Sequence, residues 1–171
     1  MPRYPLIYMD PPWPWKAWSQ DTSMDRAPMY PTMTMEDIFA LKIPAADDCV
    51  LWLWTTAPLD RMAHKLIEAL GFQARTHIIW NKGGFGTGFW VRGQHEILHI
   101  AVKGKIPAPA PGTQPRSVIQ AKPGKHSEKP EVFAQMIEEM FPTLPKLEMF
   151  ARKKRPGWAA WGNQAPTRAA S

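Results

Sequence analysis

The sequence predicts an α/β fold, a mostly parallel twisted sheet with helices on both faces. Short apolar runs recur at 6–9, 49–54, 75–80, 94–102 and 146–150, and several are too continuous for strands with one wet face. Between them lie stretches with apolar residues at helical spacing, and strands alternating with helices mean parallel pairing. The 171 residues, 44% of them hydrophobic, are enough for one domain with a proper core and too few for two ordinary ones. A single domain over 1–171 is therefore expected.

The first strand, Leu6-Ile7-Tyr8-Met9, stops at Asp10-Pro11-Pro12-Trp13. Two prolines fix φ and forbid continuation, so Asp10 stands at the strand's carboxyl end, where open α/β sheets bind ligands. A carboxylate, a rigid carbonyl and an aromatic ring suit methylation of an exocyclic base amine. Asp10 would accept one N–H and the Pro11 carbonyl the other, facing the positive charge that develops as nitrogen attacks. Trp13 would stack on a base taken out of its strand. A turn opened by Asp10 with punctuating prolines explains the same residues, and these four alone do not separate the two readings.

Residues 14–33 follow as an irregular stretch carrying Trp15, Trp18, Met24, Met29 and Tyr30. A loop of that length is expected to be a mobile substrate segment, or else to fold under its own side chains. Thr34-Met35-Glu36-Asp37 reads as a capping box for a helix to about residue 41. The 49–54 strand contains the chain's single cysteine, Cys49, expected as a buried thiol and not a nucleophile. Thr56-Ala57-Pro58 opens a helix striped by Met62, Leu66, Ile67 and Leu70, closed by Gly71. After the 75–80 strand, 81–88 is glycine-rich but completes no G-x-G-x-x-G and opens no helix, so a dinucleotide fingerprint is rejected. Residues 83–93 are expected to be a second mobile substrate loop.

The 94–102 strand puts His95 and His99 on one face, with no third ligand apparent, so no metal is expected. Residues 103–115 are a Pro/Gly-rich connection, 117–121 a short edge strand and 122–128 a basic loop. Pro130 opens a helix to about 141 with Val132, Phe133, Met136, Ile137 and Met140 on its core face. Strands at 146–150 and 158–161 finish the fold, and 165–171 is expected to be a disordered tail.

Net charge is +6 and unevenly placed. Residues 103–129 and 144–171 each carry six bases against one acid, whereas 1–102 is nearly balanced. A basic C-terminal half fits a polyanion such as nucleic acid, and a merely solvated face fits it too. No stretch reaches the roughly 20 apolar residues of a membrane span. Met1-Pro2-Arg3 leads straight into the first strand without a secretion-signal pattern, and one cysteine fits a reducing cytoplasm.

Taken together, six blocks in order resemble the MT-A70 family of adenine-N6 methyltransferases: Asp10-Pro-Pro-Trp13, Tyr30-Pro-Thr-Met33, Leu51-Trp-Leu-Trp54, Ile79-Trp-Asn-Lys82, residues 93–104, and residues 126–164. The last contains Ser127-Glu-Lys-Pro130, Glu148-Met-Phe-Ala-Arg152 and Trp161-Gly-Asn-Gln164. The resemblance implies a Rossmann-like methyltransferase in permuted order, catalytic motif first and cofactor motifs last, using S-adenosylmethionine. It implies that Asp10, Pro11, Pro12 and Trp13 are catalytic and that Trp13, Tyr30 and Lys82 meet the substrate adenine. It further implies that Asp10, Lys129, Glu148, Arg152, Asn163 and Gln164 bind the cofactor, with the Trp13 ring and its neighbours offering π faces to the sulfonium. Lys129 would meet the methionine carboxylate, Glu148 and Arg152 the ribose edge. Lys153-Lys154-Arg155 depart from the family's RNA writers, which carry histidine and asparagine there.

The expected activity is transfer of a methyl group to N6 of adenine in nucleic acid, DNA before RNA. The alternative is a non-catalytic nucleic-acid-binding partner subunit, with a homodimer or heterodimer open in either case. Target choice would fall to the two loops, the basic 103–125 segment or a second subunit.

Overall fold

The computed structural model describes residues 2–14, 31–106, 109–125 and 128–162. Its elements are β1 (Tyr4–Met9), α1 (Met35–Phe39), β2 (Ala45–Thr56), a 3₁₀ turn (Ala57–Leu59), α2 (Asp60–Ala69), β3 (Gln73–Asn81), β4 (His95–Lys103), β5 (Val118–Gln120), α3 (Glu131–Met140), β6 (Lys146–Met149) and β7 (Trp158–Trp161). All seven strands form one sheet in the order β5-β3-β4-β2-β1-β6-β7. β7, β6, β1 and β2 pair in parallel, as do β5 and β3, and β4 runs antiparallel to both its neighbours β2 and β3. This is the mostly parallel, Rossmann-like arrangement expected, with helices on both faces.

The two apolar layers explain why the central strands show no alternation. Leu6, Tyr8, Trp52, Trp54, Trp80 and Leu98 point to the face covered by Phe133, Met136, Ile137 and Met140 of α3. Ile7, Met9, Leu51, Leu53 and Met149 point to the other, covered by Ile38 of α1 and by Ala63, Leu66 and Ile67 of α2. Residues buried on both faces must be apolar at every position.

Most helix signals hold, with shifts that have physical causes. Thr34 caps α1, its hydroxyl accepting from the Asp37 amide. Pro58 enters through a 3₁₀ turn, and α2 begins only at Asp60. Gly71, at φ +81°, ends α2: its amide bonds the Glu68 carbonyl and the Phe72 amide the Ile67 carbonyl, a Schellman closure. In α3 the buried set includes Ala134, while Val132 is exposed. Residues 133, 136, 137 and 140 already fill one stripe, and 132 lies about 100° round the helix from it. In β2 the strand starts at Ala45, four residues before the apolar run, because pairing with Tyr4 of β1 recruits it. Cys49 is fully buried and its thiol is pushed up to about 12 by burial. No helix among the described residues is long and apolar enough to cross a membrane.

Candidate active site

β1 leads through α1 to β2 on one side, while α3, on the opposite face, leads into β6 on the other. The carboxyl ends of β1 and β6 therefore flank the point where the chain changes direction, the favoured ligand crevice of such sheets. Asp10 is the first residue beyond β1. The turn that presents it is fixed by three bonds. The Trp13 amide donates to the Pro11 carbonyl at 2.8 Å and its indole N–H to the Trp54 carbonyl at 2.8 Å, and the Met33 amide donates to the Pro12 carbonyl at 2.9 Å.

Asp10 does not stand alone. Lys129 Nζ lies 3.0 Å from Asp10 Oδ2 and 2.9 Å from Glu96 Oε2, and Lys82 Nζ meets Glu96 Oε1 at 2.5 Å. The four side chains form one row of alternating charge. Its cations lie against tryptophan faces, Lys129 5.3 Å from the Trp54 ring centre and 6.0 Å from that of Trp80, Lys82 5.2 Å from Trp80. Desolvation of such charges is costly unless each is paired, and here each is. Burial raises Asp10 above the usual aspartate value, Lys129 opposes that, and the neighbouring Glu96 adds to it. For Glu96 burial would do the same, but Lys129 and Lys82 outweigh it and hold the carboxyl low. Burial would lower Lys129, but its two carboxylate partners hold it above the usual lysine value.

Beside Asp10 opens a cleft lined among others by Tyr8, Lys129, Glu148, Phe150 and Arg152. Glu148, on β6, is raised by burial against the opposing Arg155 charge. Its Oε2 is buried and sits 3.4 Å from Arg155 Nε without a well-formed hydrogen bond, so an acceptor beside the cleft is left with capacity unused. Arg155 is packed over Trp158 and also pairs with Glu131. Phe150 adopts φ +60°, a left-handed conformation costly for an aromatic residue, at the very end of β6. An enclosed carboxylate acceptor, cations at the mouth and an aromatic wall suit a ligand with hydroxyls, an anionic end and apolar surface.

A family model described as MT-A70 matches residues 4–164. The chain belongs to the MT-A70 family. It is 34% identical to the type II methyltransferase M.MunI of a Mycoplasma species, over 96% of this chain and 78% of that protein. It is 29% identical to the N(6)-adenosine-methyltransferase catalytic subunit METTL3 of Homo sapiens, over 95% of this chain but 28% of that protein. An MT-A70-like N(6)-adenosine-methyltransferase of Arabidopsis thaliana is 28% identical over 93% of this chain and 23% of its own length.

Of the MT-A70 site residues expected from sequence, Asp10, Lys129, Glu148 and Arg152 line one cleft. Pro11 is buried beneath them, with one lone pair of its carbonyl already used by Trp13. Trp13 and Lys82 do not line that cleft: Trp13 is tied to the end of β2, and Lys82 reaches the site only through Glu96. Tyr30, Asn163 and Gln164, with most of the 14–33 loop and the 165–171 tail, lie outside the described residues. The aromatic faces nearest Lys129 are Trp54 and Trp80, both taken by the chain's own lysines. Three contributors were not singled out from sequence. Arg155 pairs with Glu148, its Nε 3.4 Å from Oε2. The strain at Phe150 has no sequence signal. Glu96 had one: it is the sole acid between residues 69 and 127, at the mouth of an apolar strand.

Proposed function

We propose that this chain transfers a methyl group to N6 of adenine in nucleic acid, with S-adenosylmethionine as donor and DNA favoured over RNA. The observation that carries the reading is Asp10, presented at the switch point of the sheet, braced by Lys129 and open to a cleft. The greater likeness, over most of that relative's length, to a type II methyltransferase supports DNA; the N(6)-adenosine enzymes match over only about a quarter of their length.

S-adenosylmethionine supplies an electrophilic methyl group on a sulfonium. The chain's part is to place the acceptor. Asp10 and the free lone pair of the Pro11 carbonyl accept the two N–H bonds of the amine and face the charge that grows on nitrogen. Lys129 fixes the carboxylate, so no reorganisation is needed as charge develops. Glu148 and Arg152 would hold the ribose edge of the cofactor, and the third N–H of Lys129 its carboxylate end. Trp13, locked by its bond to β2, forms a rigid wall for the base, and Tyr30 is its expected companion from the family resemblance. The 83–93 loop, with Phe85, Phe89, Trp90 and Val91 75–92% exposed, offers stacking surface beside the Lys82–Glu96 pair. The basic 103–125 segment serves phosphates.

The test is transfer of labelled methyl to single- and double-stranded DNA and RNA by wild type and Asp10→Ala. Transfer to adenine N6 by wild type and none by the variant, with the fold kept in circular dichroism, is expected. Near wild-type transfer by Asp10→Ala refutes the mechanism, and no transfer by wild type to any adenine-containing polymer refutes the function.

A further inference from the structure

On the sheet face opposite the Asp10–Lys129 pair, α2 sets Asp60 and His64 one turn apart over His99 of β4. Asp60 Oδ1 is 2.7 Å from His99 Nε2, and Asp60 Oδ2 is 3.9 Å from His64 Nε2. One ligand atom from each of the three lies within 4.8 Å of the others. We propose that Asp60, His64 and His99 form a binding site for a divalent transition-metal ion, with Zn²⁺ the best match.

Sequence reading set His99 beside His95 on one strand and found no third ligand. Folding supplies the others from α2, far from β4 in the chain. Two imidazoles and a carboxylate are the donor set of many zinc sites, and two ligands spaced i, i+4 on a helix reach one ion. Ligands on a tetrahedral Zn²⁺ stand about 3.4 Å apart, so closing from the present spacing takes about an ångström of side-chain rotation. His99 is 2% exposed and gives a fixed anchor, while Asp60 at 39% and His64 at 47% leave an entry path.

A plain His99–Asp60 hydrogen bond accounts for those two residues but not for the rest of the cluster. The His64 ring centre is 4.7 Å from that of His99. His77, which pairs with His99 across β3 and β4, has its ring 5.8 Å away. Three of the chain's five histidines thus gather at one point, and His77 or a water can complete four-coordination. Glu96 is three residues along β4 from His99 and on the opposite face, so an ion here would clamp α2 to the strand without entering the cleft.

Calorimetric titration of chelator-stripped protein with Zn²⁺ decides this. One equivalent per chain, micromolar or tighter, with a raised melting temperature, is expected. His64→Ala, on a half-exposed helix face, is expected to weaken binding at least tenfold and to melt like wild type without metal. Circular dichroism checks its fold. Asp60→Asn should weaken binding as well. No saturable binding by wild type, or equal affinity in His64→Ala, overturns the site.

Discussion

Replacing Lys129 by methionine isolates what the ammonium contributes, because methionine keeps much of the stem and deletes only the charge. Nζ lies about equally far from Asp10 and Glu96 and is 14% exposed. Without it two enclosed carboxylates face each other, with only Lys82 on the far oxygen of Glu96. Removing one member of a buried ionic group costs about 3–5 kcal/mol. Asp10 keeps 30% of its side chain exposed, so solvent screens part of the loss and about 3 kcal/mol is the working figure. At roughly 2–4 °C per kcal/mol for a chain of this size, the melting temperature should fall by about 6–12 °C near pH 8. The loss should shrink near pH 5. Asp10 is raised in the folded chain, so its ionisation is harder there than in the unfolded chain. Its contribution to stability therefore falls as pH rises from the unfolded value through the folded one. Without Lys129 the folded value climbs further, and in mild acid Asp10 takes up a proton and no longer needs a partner. Thermal melts of both proteins at the two pH values measure this. An equal loss at both, or a loss under about 2 °C near pH 8, refutes the brace.

Because only the ionised Asp10 opposes the positive charge growing on nitrogen, the acid limb of kcat/KM should lie above the ordinary aspartate value of 3.8, and Lys129→Met should move it higher still; a pH–rate profile checks both. Trp54 Nε1 donates to the Tyr8 hydroxyl at 2.8 Å, and burial drives that hydroxyl's pKa well up. Trp54→Phe removes the donor and leaves a void against Phe133, so denaturant melts should show about 2–4 kcal/mol lost.

Much of the fold was legible because the core is two-sided. Runs such as Leu51-Trp-Leu-Trp54 and Leu6-Ile7-Tyr8-Met9 carry apolar side chains at every position, and Gly71 and Thr34 mark helix ends by chemistry alone. Val132 was misplaced by a single position, since a stripe on a three-turn helix can be drawn one residue early. The direction of a strand was not legible: nothing in Ile97-Leu98-His99-Ile100 says which way it runs in the sheet. Nor was the pairing of Arg155 with Glu148, because Arg155 ends a run of four basic residues and only the turn before β7 brings its guanidinium back to β6.

The antiparallel course of β4 is what completes the site. Parallel strands present their last residues at the carboxyl edge, and Asp10 gets there by following β1. β4 runs the other way, so its first residues reach the same edge, Glu96 opposite Thr56 at the end of β2. Without that reversal, Lys129 would have a single carboxylate to face. With it, one ammonium holds Asp10 from the start of the chain and Glu96 from the middle, and Lys129 itself arrives on the approach to α3. Acceptor and brace therefore come together only once β1, β4 and α3 are all in place. This explains why the spacing of Asp10 from Lys129 in sequence carried no sign of their pairing, and why a lysine expected to meet a cofactor also holds two carboxylates of its own chain.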